Sequence, residues 1–116
     1  MLRIRQRVDA DISTVVGWIA DADALNMFTG PRLVWPLTID QLAAMTATDA
    51  VSAWVMIDDR ADVIGHFDLA LDEGTARIGR VIVDPSRRGR GYGSALVRLA
   101  IEEARALGAR ALTLNV

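Results

Sequence analysis

The segment Val81-Ile82-Val83-Asp84-Pro85-Ser86-Arg87-Arg88-Gly89-Arg90-Gly91-Tyr92-Gly93-Ser94-Ala95-Leu96 runs from an apolar β-type stretch, through a glycine-rich turn, into the opening of a helix. Gly89, Gly91 and Gly93 let the backbone come close to a ligand, because no Cβ intervenes. The first amides of the helix lack intrahelical acceptors, and the positive end of its dipole points the same way. Such a turn suits a phosphate or pyrophosphate. Arg87, Arg88 and Arg90 add cationic forks that match phosphate oxygens. Glycine turns also precede helices without any ligand, and an arginine cluster is often only a solvated face. The combination of strand, glycines, arginines and strong helix is what points to an anion.

Working outward, the helix that follows carries Leu96, Val97, Ala100, Ile101, Ala104 and Leu107 on one face, with Glu102, Glu103 and Arg105 on the other. Gly108 is placed to end it, and Ala109–Val116 reads as a final strand. Before the loop, Val51–Ile57, Val63–Leu71 and Ala76–Val83 are β-rich runs separated by Asp58-Asp59-Arg60-Ala61-Asp62 and Asp72-Glu73-Gly74-Thr75. Connections this short join antiparallel neighbours, since a parallel crossover needs a dozen or more residues. Nearer the N-terminus, Leu2–Val8 alternates at period two. Asp11 is expected to cap a helix bearing Ile12, Val15, Val16 and Ile19, and Thr38 with Gln41 forms a capping-box pattern for a second. Between them, Asp21–Leu37 loses periodicity around Gly30-Pro31 and Trp35-Pro36. It is apolar enough to be a loop packed over something. The expected order is β-α-α-β-β-β-α-β in one domain spanning residues 1–116. This is an α/β fold (α+β in some schemes) with a mixed, mostly antiparallel sheet.

Composition narrows the chemistry. Of 116 residues, 52% are apolar and 24% charged, an ordinary globular balance. A formal net charge of −2 argues against nucleic acid as a partner. All 13 basic residues are arginine, which removes lysine nucleophiles and phosphate-binding lysines. Without cysteine there are no disulfides or thiolates, and with His66 as the single histidine no metal site is expected. No run approaches the roughly 18 apolar residues of a membrane span, and the first residues lack the apolar centre of a signal peptide, so no membrane and a cytoplasmic location are expected. A Walker P-loop needs the missing lysine, and a dinucleotide fingerprint belongs to a parallel βαβ unit rather than to the end of a meander.

Arg88-Gly89-Arg90-Gly91-Tyr92-Gly93 fits the R/Q-x-x-G-x-G/A motif of the GNAT superfamily of acyl-CoA N-acyltransferases, and the preceding Val-Ile-Val-Asp-Pro is similar to that family's fourth strand. Phe28-Thr29-Gly30-Pro31 with Pro36-Leu37-Thr38 looks like the first-to-second helix region of small bacterial members. The resemblance covers essentially the whole chain. It implies acetyl transfer from acetyl-CoA, as acyl-donor substrate and without a metal, to a primary amine of a small molecule or protein. It also implies that Arg88, Gly89, Arg90, Gly91, Tyr92, Gly93 and Ser94 hold the pyrophosphate. Val81, Ile82 and Val83 would pair with the pantetheine arm where the fourth and fifth strands splay, often at a bulge. A backbone N–H there would polarise the thioester carbonyl. On the acceptor side the resemblance suggests Phe28, Leu33 and Trp35, with Asn115 as a further hydrogen-bonding residue.

The catalytic residues stay unassigned. Where the family often places a glutamate, this chain offers Arg77, Arg80 and Asn115, none of them a base at neutral pH. His66 and Asp68 share a strand face and could act through water, but a lone strand histidine is more often a hydrogen-bonded partner. The family's usual acid is a tyrosine on a helix after the fifth strand. Here the sequence ends at Leu112-Thr113-Leu114-Asn115-Val116, so the fold is expected to be C-terminally incomplete. Association is expected as a homodimer or by another chain completing the sheet. The alternative function is a non-catalytic acyl-CoA-binding or assembly protein.

Overall fold

The computed structural model describes residues 1–30, 33–46, 48 and 50–114. Its strands are β1 (Arg3–Gln6), β2 (Val51–Ile57), β3 (Val63–Asp72), β4 (Thr75–Val83) and β5 (Ala111–Leu114). The helices are α1 (Asp9–Gly17), α2 (Ala22–Thr29), α3 (Ile39–Met45) and α4 (Tyr92–Ala106). The short turns do force the expected meander. Glu73 and Gly74, with φ of 48° and 84°, make the two-residue connection that matches the twist of an antiparallel hairpin. In the β2–β3 turn, one oxygen of Asp58 accepts the amides of Arg60 (2.9 Å) and Asp62 (3.0 Å). The five strands lie in the order β1-β2-β3-β4-β5, antiparallel except for the parallel pair β4–β5. Helix α4 is the crossover that this parallel pair requires.

Each face of the sheet has its own core. Leu96, Ala100 and Ala104 of α4 are fully buried against Met56, Phe67, Leu69 and Ile78. Burying a leucine this way is worth roughly 1.5–3 kcal/mol. Gly65 sets the approach of the helix, because a Cβ there would stand 3.2 Å from Leu96 Cδ2. Gly108, at φ 96°, ends α4 as expected. Its amide bonds to Arg105 O and that of Ala109 to Ala104 O, the paired bonds of a Schellman cap. On the other face Ile12, Val15, Ile19, Leu25, Phe28, Leu37 and Leu42 gather α1, α2 and α3 into a second core.

Three expectations are corrected at the N-terminal side. Asp21–Leu37 is not all loop: α2 occupies Ala22–Thr29, so among the described residues three helices precede β2 where two were expected. Asp21 caps α2 by accepting from Ala24 N at 2.8 Å, and Leu25 and Phe28 face inward. Asp11 does not cap α1; the cap position is Val8, and Asp11 reaches back from the third helical position to the Val8 amide at 2.8 Å. Arg5 grips the same carboxylate at 2.7 and 3.0 Å, tying β1 to α1. Finally, Thr38 caps α3 through the Gln41 amide, but the Gln41 side chain is spent on the preceding loop, donating to Pro36 O at 3.0 Å. Among the described residues, no helix is long and apolar enough to cross a membrane.

Candidate functional site

The glycine loop takes the form its sequence demands. Pro85–Arg87 is a 3-10 turn, capped by Asp84, which accepts from the amide and hydroxyl of Ser86 at 2.9 Å each. Gly89 and Gly91 then adopt φ of 83° and 78°, left-handed backbone that suits glycine. Gly91 is the cap residue of α4, and among the described residues no side chain caps the helix start. The amides of Tyr92, Gly93 and Ser94 therefore open the helix without intrahelical acceptors. A Cβ at Gly89, Gly91 or Gly93 would meet nothing within 4 Å, so the space in front of these residues is open.

That space belongs to a cleft of about 440 Å³ lined by the loop (Arg87, Arg88, Gly89, Gly91, Tyr92, Gly93), by Val81, Ile82 and Val83, and by Trp18, Ala24, Met27 and Phe28 of the helical layer. A second hollow, of about 720 Å³, runs along α4 from Val81, Gly93 and Ser94 past Val97 and Ile101. The sequence-predicted residues are thus largely brought together, with Ser94 facing the second hollow and Arg90 exposed on the loop. Phe28 reaches the cleft; Trp35, 41% exposed, is not among its described lining residues. Asn115 lies outside the described residues. Trp18, Ala24 and Met27 escaped the sequence reading, because the helix that carries two of them was itself missed.

The three loop arginines divide. Arg87 lines the cleft but its guanidinium is engaged by a carboxylate cluster, 3.0 Å from Asp58, 3.3 Å from Asp62 and 3.8 Å from Asp84. These partners raise its pKa, above all through the hydrogen bond to Asp58. Arg87 pins the loop to the β2–β3 turn and is not a free phosphate fork. Arg88 and Arg90 are exposed and have no ion pair among the described residues.

Strand β4 is irregular where it borders the cleft. His66 pairs with Ile82 and Asp68 with Gly79, so β4 holds one residue more than β3 between these points. The surplus falls at Arg80 and Val81, with Arg80 at φ 48°. On the outer side the parallel pairing with β5 ends at Ile78–Leu114, and no described residue of β5 stands opposite Val81–Val83.

His66 and Asp68 face the helical layer, 0% and 2% exposed. His66 Nδ1 lies 2.9 Å from Arg80 O and Nε2 lies 3.1 Å from Arg7 NH1. A carbonyl only accepts and a guanidinium only donates, so the neutral tautomer with the proton on Nδ1 satisfies both contacts. Burial pushes the His66 pKa down to about 4; the hydrogen bond to Arg80 O opposes this and the charges of Arg7 and Arg80 reinforce it. With its lone pair committed to Arg7, His66 is a structural partner and not a general base. Burial raises the Asp68 pKa against the opposing charge and hydrogen bond of Arg80, whose guanidinium it pairs with.

Residues 22–116 match the model of the acetyltransferase (GNAT) family. The chain belongs to the GNAT family. Solved GNAT structures share the fold: spermidine N-acetyltransferase from Vibrio cholerae, in complex with CoA and spermine, superposes with a TM-score of 0.79 at 16% identity, over 97% of this chain and 69% of that one. An acetyltransferase from Trypanosoma brucei gives 0.67 at 22% identity, over 100% of this chain and 83% of its own. A tandem GNAT protein from the clavulanic acid biosynthesis pathway is 32% identical over the whole of this chain, covering 37% of its own length, with a TM-score of 0.71. The mixed five-stranded sheet is the GNAT fold that the sequence led one to expect.

Proposed function

We propose that this GNAT chain moves an acetyl group from acetyl-CoA to a primary amine. The observation that carries the reading is the uncapped start of α4, whose amides open onto a cleft floored by Val81–Val83. In this reading the pyrophosphate rests on the amides of Tyr92, Gly93 and Ser94, with the exposed Arg88 and Arg90 as counter-charges. The pantetheine arm pairs with the outer backbone edge of Val81–Val83, which has no β5 partner among the described residues. The amine lone pair attacks the thioester carbon and a C–N bond forms. The oxyanion is held by a backbone N–H of β4, and the C–S bond then breaks to release CoA thiolate. No covalent enzyme intermediate is involved. Nitrogen loses its proton to water, since no carboxylate or free imidazole is among the described lining residues. Trp18, Ala24, Met27 and Phe28 suit an amine carried on an apolar body, on a small molecule or a protein.

That same lack of a base favours a second reading, acyl-CoA binding without transfer. Thiol release from acetyl-CoA across a panel of amines decides between the two, and its complete absence would leave binding alone. The donor site itself is tested by Gly93→Val. Gly93 has no positive φ and an open Cβ position, so valine intrudes on the ligand while the helix tolerates it. We expect CoA affinity by calorimetry to fall at least tenfold with thermal stability little changed; unchanged affinity would remove the loop from the site. We further expect the outer edge of β5, unpaired among the described residues, to associate with a second copy or with another chain that completes the sheet. A monodisperse monomer in light scattering at high micromolar concentration is the contrary result.

A further inference from the structure

The bulge in β4 is gripped at both ends of one residue. Arg80 adopts the left-handed backbone that an arginine takes up only under compensation. Its carbonyl accepts from His66 Nδ1 at 2.9 Å, and its guanidinium pairs with the buried carboxylate of Asp68. His66 and Asp68 stand two residues apart on one face of β3, both almost completely buried. The far nitrogen of His66 is held in turn by Arg7, which follows β1 and whose second nitrogen donates to Thr46 Oγ1 at 2.6 Å behind α3. The ring of Phe28 covers the imidazole, with centroids 5.8 Å apart. Strands β1 and β3 and the helical layer thus converge on one peptide bond, that between Arg80 and Val81.

The orientation of that peptide has a consequence at the cleft. In a planar trans peptide the N–H points opposite to the C=O. Fixing Arg80 O toward His66 therefore fixes Val81 N–H away from it, on the side of β4 facing neither His66 nor Arg7. Val81 borders both the cleft and the hollow along α4. Arg80 and Val81 are also skipped by the β3 register, so the ladder alone does not set this direction.

We propose that His66 and Asp68 are positioning residues that lock the Arg80–Val81 peptide, so that Val81 N–H is presented to the acyl carbonyl of the bound donor. The proposal rests on the acetyl-CoA reading and assigns the oxyanion contact to one amide and its support to two named side chains. His66 moves no proton. It acts as a fixed donor whose tautomer is set by Arg7. The clamp bears on the acyl group and not on the pyrophosphate, which meets a different part of the chain.

The test follows the Val81 amide by ¹⁵N–¹H NMR with CoA and with acetyl-CoA, which differ by the carbonyl in question. In the unaltered protein acetyl-CoA moves the Val81 amide proton downfield beyond the shift that CoA produces. In His66→Leu at least half of that acetyl-dependent shift disappears while the Kd for CoA stays within threefold. His66→Asn, whose amide nitrogen reproduces the position of Nδ1, restores it. Should His66→Leu fail to fold, Asp68→Asn releases the other grip and is read the same way. Where an acceptor amine is turned over, kcat falls in step with the lost shift and the KM for acetyl-CoA does not rise. A full acetyl-dependent shift in the leucine variant, or an asparagine variant that behaves like leucine, overturns the clamp. If the unaltered protein binds no CoA, the donor reading itself fails, a result distinct from either of these.

Discussion

A fully buried histidine held between a guanidinium and a backbone carbonyl is a liability in acid. Unfolded His66 takes its proton near pH 6.5, whereas the folded site holds off until about 4. Between these values the unfolded chain binds more protons, so stability falls as pH drops through this window. A displacement of this size corresponds to about 3 kcal/mol lost from His66 alone between pH 7 and pH 4. The raised pKa of Asp68 works the other way, and the lowered pKa of Asp11 in the same direction as His66. Comparing denaturant unfolding of the unaltered protein with His66→Asn over this range isolates the histidine. Parallel stability–pH curves would contradict the assignment. The residue scale is also where the sequence was least legible. Glycine or asparagine announces a left-handed position, but Arg80 does not. Its conformation is imposed by side chains 12 and 14 positions away, and no local pattern records that.

Among elements, legibility followed strength of pattern. Strand β2 and the loop-to-α4 unit lie where alternation, turn residues and a continuous apolar face place them. Helix α2 was hidden because eight residues give only Leu25 and Phe28 at helical spacing, and Gly30-Pro31 then masks the end. The usable signal was Asp21 as a cap before Ala22, Ala24 and Leu25, strong helix formers, with Asp23 in the first turn. The glycine loop was readable in its backbone but not in its anchoring. Arg87 looked like a phosphate ligand because its carboxylate partners Asp58 and Asp62 lie 29 and 25 positions earlier. Arg87→Ala should therefore loosen the loop rather than remove a ligand contact. The expected outcome is CoA affinity reduced three- to tenfold, with faster amide exchange at residues 85–91. Asp58→Asn should give a smaller effect in the same direction. Loss of affinity without any change in exchange would instead make Arg87 a direct ligand.

For the molecule as a whole, the division into two cores separates what builds the sheet from what borders the cleft. Helix α4 and the sheet interior form one body, and α1–α3 pack over the other face with Phe28 shared between core and cleft. The β3–β4 hairpin turn does more than reverse the chain: Gly74 O accepts the amides of Arg110 at 2.7 Å and Ala111 at 3.3 Å. The Arg110 guanidinium lies where a Cβ on Gly74 would come within 3.1 Å of it. Strand β5 thus lands on a turn that must already exist, after a crossover covering all of residues 84–110. Local hairpins close in microseconds, while a long closure pays its entropy before any contact rewards it. The order of assembly is therefore written into the topology, meander first and β5 last. In pulse-labelled exchange during refolding, the amides of residues 111–114 should gain protection after those of β2 and β3.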